Sequence, residues 1–362
     1  MKPLIPLLSL GILFGQQTLW DQHMKEGGLL EQAGRYQEAR TAYQLALEDE
    51  RTPSDTGFRK AAAWNNLAMM NRYLGNYAEA REQYQGVLTI FEKSAGVNSQ
   101  EYANGLHNIA VLDYQEGHFD RAASQFQRAL KIREEVLGKE HPAVAKTLNS
   151  LAAAYAALGR YSEAERICQR ALAIQEASLG PVDAEVSGTL NNLASIYRKQ
   201  GRPEAALELS RRSVQISRSV YGDNHPLTCK RLNTLAVLEA NAGNLDQARG
   251  LLQGVVESQR KALGERSPDL ATTLSNLAAV NIRLRRLPEA EGLYRDAILI
   301  FEHSPSNDHK LAAVFTDFAW LLRQTGKREE AKKLELRASA IRESDTNSRR
   351  YSVDLSELLH SH

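Results

Sequence analysis

The chain has 362 residues, of which 43% are hydrophobic and 25% charged, and its formal net charge is +1. That composition excludes a disordered or polytopic membrane protein, and the balanced charge provides no global field to attract nucleic acid. Two cysteines, Cys168 and Cys229, are too few for a disulfide framework and lack metal-ligand spacing, so both read as inert thiols.

In chain order, Lys2 is followed by an apolar run from Pro3 to Gly15. The run is short for a membrane span and has the length of a signal-peptide core. Residues 1–19 are therefore expected to form a signal peptide or anchor. The protein would then be exported (periplasmic or secreted), and otherwise cytoplasmic. Leu13 sits where a cleavage site prefers a small residue, so a retained anchor or a hydrophobic first helix stays open.

From Trp20 a helix-pair unit recurs. Its turns are GRYQEA at Gly34, GNYAEA at Gly75, GHFDRA at Gly117, GRYSEA at Gly159, GRPEAA at Gly201, GNLDQA at Gly243, RRLPEA at Arg285 and GKREEA at Gly326. The offsets are 41 or 42 residues throughout. Two alanine columns run through the last seven units: Ala68, Ala110, Ala152, Ala194, Ala236, Ala278 and Ala319, then Ala80, Ala122, Ala164, Ala206, Ala248, Ala290 and Ala331. Alanine in a column means that helices cross too closely for anything larger. A bulky residue precedes each first-column alanine, with another three residues earlier (Leu151 and Leu148 before Ala152, for example), which is one helix face. The turn glycines supply positive φ where a first helix ends. In the first unit Glu26 and Gly27 replace the Leu-Ala pair, as suits a terminal repeat. After Arg342 a linker leads to the amphipathic stretch YSVDLSELLHSH, so 343–362 reads as a linker and short tail.

The segment LNNLASIYRKQGRPEAALELSRRSVQI and the linkers LGKEHPAVA at Leu137, YGDNHPLTC at Tyr221 and LGERSPDLA at Leu263 resemble the tetratricopeptide repeat in its 42-residue, kinesin light chain-like form. The resemblance covers about residues 20–342. It implies an all-α, right-handed superhelical solenoid of about eight antiparallel helix pairs, with first helices lining a concave groove. The chain lacks the heptad coiled coil of kinesin light chains, so cargo transport is not implied.

No Gly-rich phosphate loop, H-E-x-x-H or G-x-S-x-G occurs, so no catalytic residue, cofactor or metal is expected. His141 and His225 precede linker prolines and read as turn caps. With Leu151 numbered as position 7 of its repeat, positions 2, 5, 6, 9, 12 and 13 point away from the core. Position 5 holds Asn65, His107, Asn149, Asn191 and Asn233; position 6 adds Asn66, Asn108, Asn192 and Asn276. Amides offer donors and an acceptor, suited either to an extended peptide backbone or to neighbouring repeats. Over the same face the basic residues are Arg72, Lys146, Arg198, Lys199, Lys230, Arg283 and Arg323, against one acid, Asp317. That bias predicts an acidic or carboxylate-bearing ligand. The basic clamp of chaperone-binding relatives is not matched at positions 5 and 6. Beside Tyr114, Ala153, Ala156 and Ala157 leave room for one bulky ligand side chain. The tail around Tyr351 to Leu358 is acidic and apolar, and either fills the groove, caps the last repeat or is loose.

The expected function is a non-enzymatic protein-interaction scaffold holding an extended acidic segment. A structural role through the convex face or array ends stays open, as does an accessory or sensor role beside a separate enzyme. Nucleic acid is not expected, because the groove lacks a regular aromatic stacking series.

Overall fold

The computed structural model describes residues 18–49, 57–303 and 308–344. The whole N-terminal apolar run and nearly all of the tail lie outside the described residues. Repeats 1 to 4 comprise α1 (Leu19–Gln32), α2 (Tyr36–Asp49), α3 (Phe58–Leu74), α4 (Tyr77–Ser94), α5 (Gln100–Gln115), α6 (Phe119–Leu137), α7 (Pro142–Ala157) and α8 (Tyr161–Leu179). Repeats 5 to 8 comprise α9 (Ala184–Lys199), α10 (Pro203–Tyr221), α11 (Pro226–Asn241), α12 (Leu245–Leu263), α13 (Pro268–Arg283), α14 (Leu287–Glu302), α15 (Asp308–Gln324) and α16 (Arg328–Ser344). No helix among the described residues is long and apolar enough to cross a membrane.

Local chemistry sets the helix ends. Thr18 forms a capping box with Asp21 at the start of α1. The imidazoles of His141 and His225 accept from the backbone N–H of Ala143 and Leu227, and Pro142 and Pro226 follow at the first helical position. The expected capping role of both histidines is therefore observed. The turn glycines take φ between 72° and 90°, and Arg285, which replaces glycine in the seventh repeat, still adopts φ 60°.

Both alanine columns are at most 1% exposed, so successive helices meet there without spare room. Gly27 has a similar cause: a Cβ there would lie 2.5 Å from Tyr43 Cε1. Cys168 and Cys229 are buried and free, and burial pushes their thiols up to about 12 and about 11.

The superhelix touches itself. The turns of repeats 1, 2 and 3 rest on the starts of α11, α13 and α15. A Cβ on Gly34 would lie 2.6 Å from Pro226 Cδ, on Gly75 2.7 Å from Pro268 Cδ, and on Gly117 2.8 Å from His309 Nδ1. Each contact joins residues 192 or 193 positions apart, about four and a half repeats. Tyr36 packs edge-on against His225 and Phe119 against His309. At Gly159, Gly201 and Gly243 an added Cβ would meet nothing within 4 Å.

Candidate peptide-binding interior

The first helices face the superhelix axis, and their asparagines pair with one another. Asn108 donates to Asn65 at 2.6 Å, Asn192 to Asn149 at 2.9 Å and Asn276 to Asn233 at 3.1 Å. Asn65 also donates to Asn66, which hydrogen-bonds Tyr43. A ladder of free amides is thus corrected to pairs that hold neighbouring repeats in register. Packing of adjacent first helices brings position 6 of one repeat against position 5 of the one before it. The pairing skips every second junction: Asn191 faces a repeat that carries Thr234 at position 6. Asn191 is 5% exposed and its Oδ1 has no hydrogen-bond partner. His107 is fully enclosed, and burial holds it well below the usual histidine range.

Several predicted cations are already engaged. Lys146 pairs with Glu185 at 3.7 Å and Arg323 with Glu335 at 2.6 Å. Arg283 donates to the carbonyl of Ala240 at 2.7 Å, tying one repeat to the preceding helix end. Arg72 donates to Gln115 at 3.4 Å and lies 4.3 Å from the Tyr73 ring centroid. The acids of the interior are also more numerous than the six-position count suggests. Glu31 lies within Coulombic reach of Arg72 and Lys146, and Asp269 within reach of Lys230 and Lys310. Glu31 sits at position 12 of the first repeat, which the count over the last seven repeats leaves out, and Asp269 precedes the six positions.

One cavity of about 340 Å³ lies within this interior. Tyr114 and Phe119 of repeat 3 form one wall, and His309, Lys310 and Asp317 of repeat 8 another. Arg198, Lys230, Asn233, Asp269 and Asn276 line it between. Lys199 is half-buried beside Arg198 at the end of α9. Lys230 is reached by solvent but enclosed by protein. Burial pushes its ammonium down, and Arg231, Arg72 and Lys310 push the same way against Asp269. Lys310 is lowered by burial too, and no hydrogen bond or ion pair engages either ammonium among the described residues. Burial raises the Asp317 carboxyl to about 7, with Arg342 opposing. Ala153, Ala156 and Ala157, expected to floor an anchor pocket, are not part of this cavity's wall. Sequence reasoning missed Lys310, which precedes the positions counted as inward, and Arg231, which falls at position 3 between two of them; a window extended to the helix start would have found Lys310.

Asp113, Glu116 and His118 place three possible ligand atoms within 4.8 Å of one another. Arg81 of α4 donates to both carboxylates and Arg121 lies 3.5 Å from Asp113, so the cluster acts as an ion-pair knot between repeats 2 and 3.

Among the described residues, sixteen stacked helices around an interior lined by first helices define a helix-pair solenoid. The family comparison agrees: the tetratricopeptide repeat model matches residues 59–135, 124–177, 185–261, 232–302 and 269–344. The chain belongs to the tetratricopeptide repeat family. Among curated proteins none matches the sequence. Among solved structures, it is similar to a Rap protein complexed with Competence and Sporulation Factor, at 12% identity and TM-score 0.60, covering 91% of this chain and 99% of that one. It is similar to the apo form of RapI at 18% identity and TM-score 0.57, covering 78% and 97%. Repeats of a putative kinesin light chain from Podosopora anserina align at 25% identity and TM-score 0.43, covering 56% and 95%.

Proposed function

We propose that the protein is a non-enzymatic interaction scaffold that holds an extended acidic peptide segment in its interior. The observation that carries this reading is the pair Lys230 and Lys310, two ammonium groups that share one cavity and, among the described residues, form no hydrogen bond or ion pair. Asp269 balances the two cations only in part, and a ligand carboxylate would add a direct ion pair. The half-buried Asn192, Asn233 and Asn108 keep hydrogen-bonding capacity beyond their mutual pairs.

Fluorescence anisotropy with labelled decaglutamate tests this. The wild type should bind it with an affinity that falls as salt rises, and Lys230→Glu with Lys310→Glu should lose at least about tenfold. Equal binding by both proteins would place the acidic segment elsewhere. A second reading, assembly through the array ends, is favoured by Leu19 and Leu29 on α1 and Leu336 on α16, all at least 60% exposed. A double charge-reversal protein that keeps its native partner would select it.

A further inference from the structure

We infer that the interior is a closed tube that admits an acidic segment by its free end, and that the contact line between successive superhelical turns excludes segments lacking one. This rests on the reading of the interior as the acidic-segment site.

The contact line is regular. Gly34, Gly75 and Gly117 meet Pro226, Pro268 and His309 at matching offsets, each too close for a Cβ. Equivalent turns at Gly159, Gly201 and Gly243 meet nothing, so the tightness belongs to the line and not to the turn motif. The cavity spans it: Phe119 stands on one side and His309 on the other, with ring centroids 6.1 Å apart. Lys230 and Lys310 lie behind it. Charge crosses the interior as well, since Lys230 on α11 is influenced by Arg72 on α3. A segment entering sideways must part these contacts, each made by a proline or an imidazole against backbone. A free end advancing along the axis parts none of them. The favoured occupant is therefore a single extended strand, acidic to complement the two lysines, and not a loop of a folded domain.

The glycines supply a matched test. Gly75→Ala and Gly243→Ala carry similar backbone strain, at φ +85° and +90°, but only the first drives a Cβ into the contact line. The probes are linear decaglutamate and the same ten residues joined head to tail. The wild type should bind the ring at least about tenfold more weakly than the linear form. Gly75→Ala should bring the two within about threefold, and Gly243→Ala should keep the wild-type ratio. Gly34→Ala stands in if Gly75→Ala fails to fold. Small-angle scattering, read without peptide, should show Gly75→Ala expanded relative to Gly243→Ala. Equal wild-type affinity for ring and linear peptide overturns the tube while leaving the acidic site standing. Equal narrowing by both alanine variants overturns the contact line as its cause. Failure of linear decaglutamate to bind removes the acidic site, and the tube's selectivity with it.

Discussion

Thr234→Asn should supply the missing rung between repeats 5 and 6. At three junctions an asparagine at position 6 donates to an asparagine 43 residues earlier. At the junction of repeats 5 and 6 the acceptor, Asn191 Oδ1, is buried without a partner, and Thr234 occupies the donor position. The Thr234 hydroxyl instead donates weakly to its own helix, to the Lys230 carbonyl at 3.3 Å. Threonine and asparagine have similar helix propensities, so that contribution cancels. A neutral hydrogen bond adds about 1 kcal/mol net, and relief of an unpaired buried oxygen adds to it. Ordering the new side chain and losing the threonine bond subtract, leaving a gain of about 0.5–1.5 kcal/mol. Urea unfolding of the full chain, followed by circular dichroism, measures it as a midpoint shift at unchanged slope. Asn191→Ala should abolish the gain, closing a double-mutant cycle. A neutral or destabilising Thr234→Asn, or a gain that survives Asn191→Ala, would refute the pairing argument.

Gly27→Ala should destabilise the first repeat by about 1 kcal/mol. Alanine favours the helix by about 1 kcal/mol, but overpacking against the buried Tyr43 ring costs about 1–3 kcal/mol and wins; an unchanged or higher Tm would contradict this. His309 links stability to acidity. Burial pushes its folded-state pKa down to about 3, with Lys310 and His118 adding, so the unfolded chain binds its proton first as pH falls. Its neutral form contributes stability above pH 6.5, which is lost progressively between 6.5 and about 3. His309→Gln should therefore lose less stability than wild type between pH 7 and pH 5 in urea titrations, and identical losses would count against the assignment.

The repeat itself was legible because close helix crossing leaves a chemical mark: Ala152 and Ala194 recur at fixed intervals for steric reasons alone. Turn geometry was legible for the same reason, down to Arg285, which holds a glycine's conformation because its neighbours impose it. The roles of the asparagines were harder to read. The face that bonds to the next repeat overlaps the face that lines the interior, so Asn149 and Asn192 fit both roles until their 2.9 Å contact decides. Charges misled similarly, since Arg283 and Arg323 find partners that no spacing rule along one helix reveals. Self-contact left no local mark at all. It arises when small rotations accumulate over several repeats, and nothing near Gly34 announces Pro226.

That self-contact changes how the array melts. An open solenoid is stabilised by neighbours only, so its ends fray independently and unfolding spreads from them. Here repeats 1 to 3 lean on repeats 6 to 8, and each end buttresses the other. Loss of the last repeats therefore also exposes the first ones. The chain trades the modularity of a linear array for all-or-none cooperativity, at the cost of the slower, high-contact-order folding that such distant pairing entails.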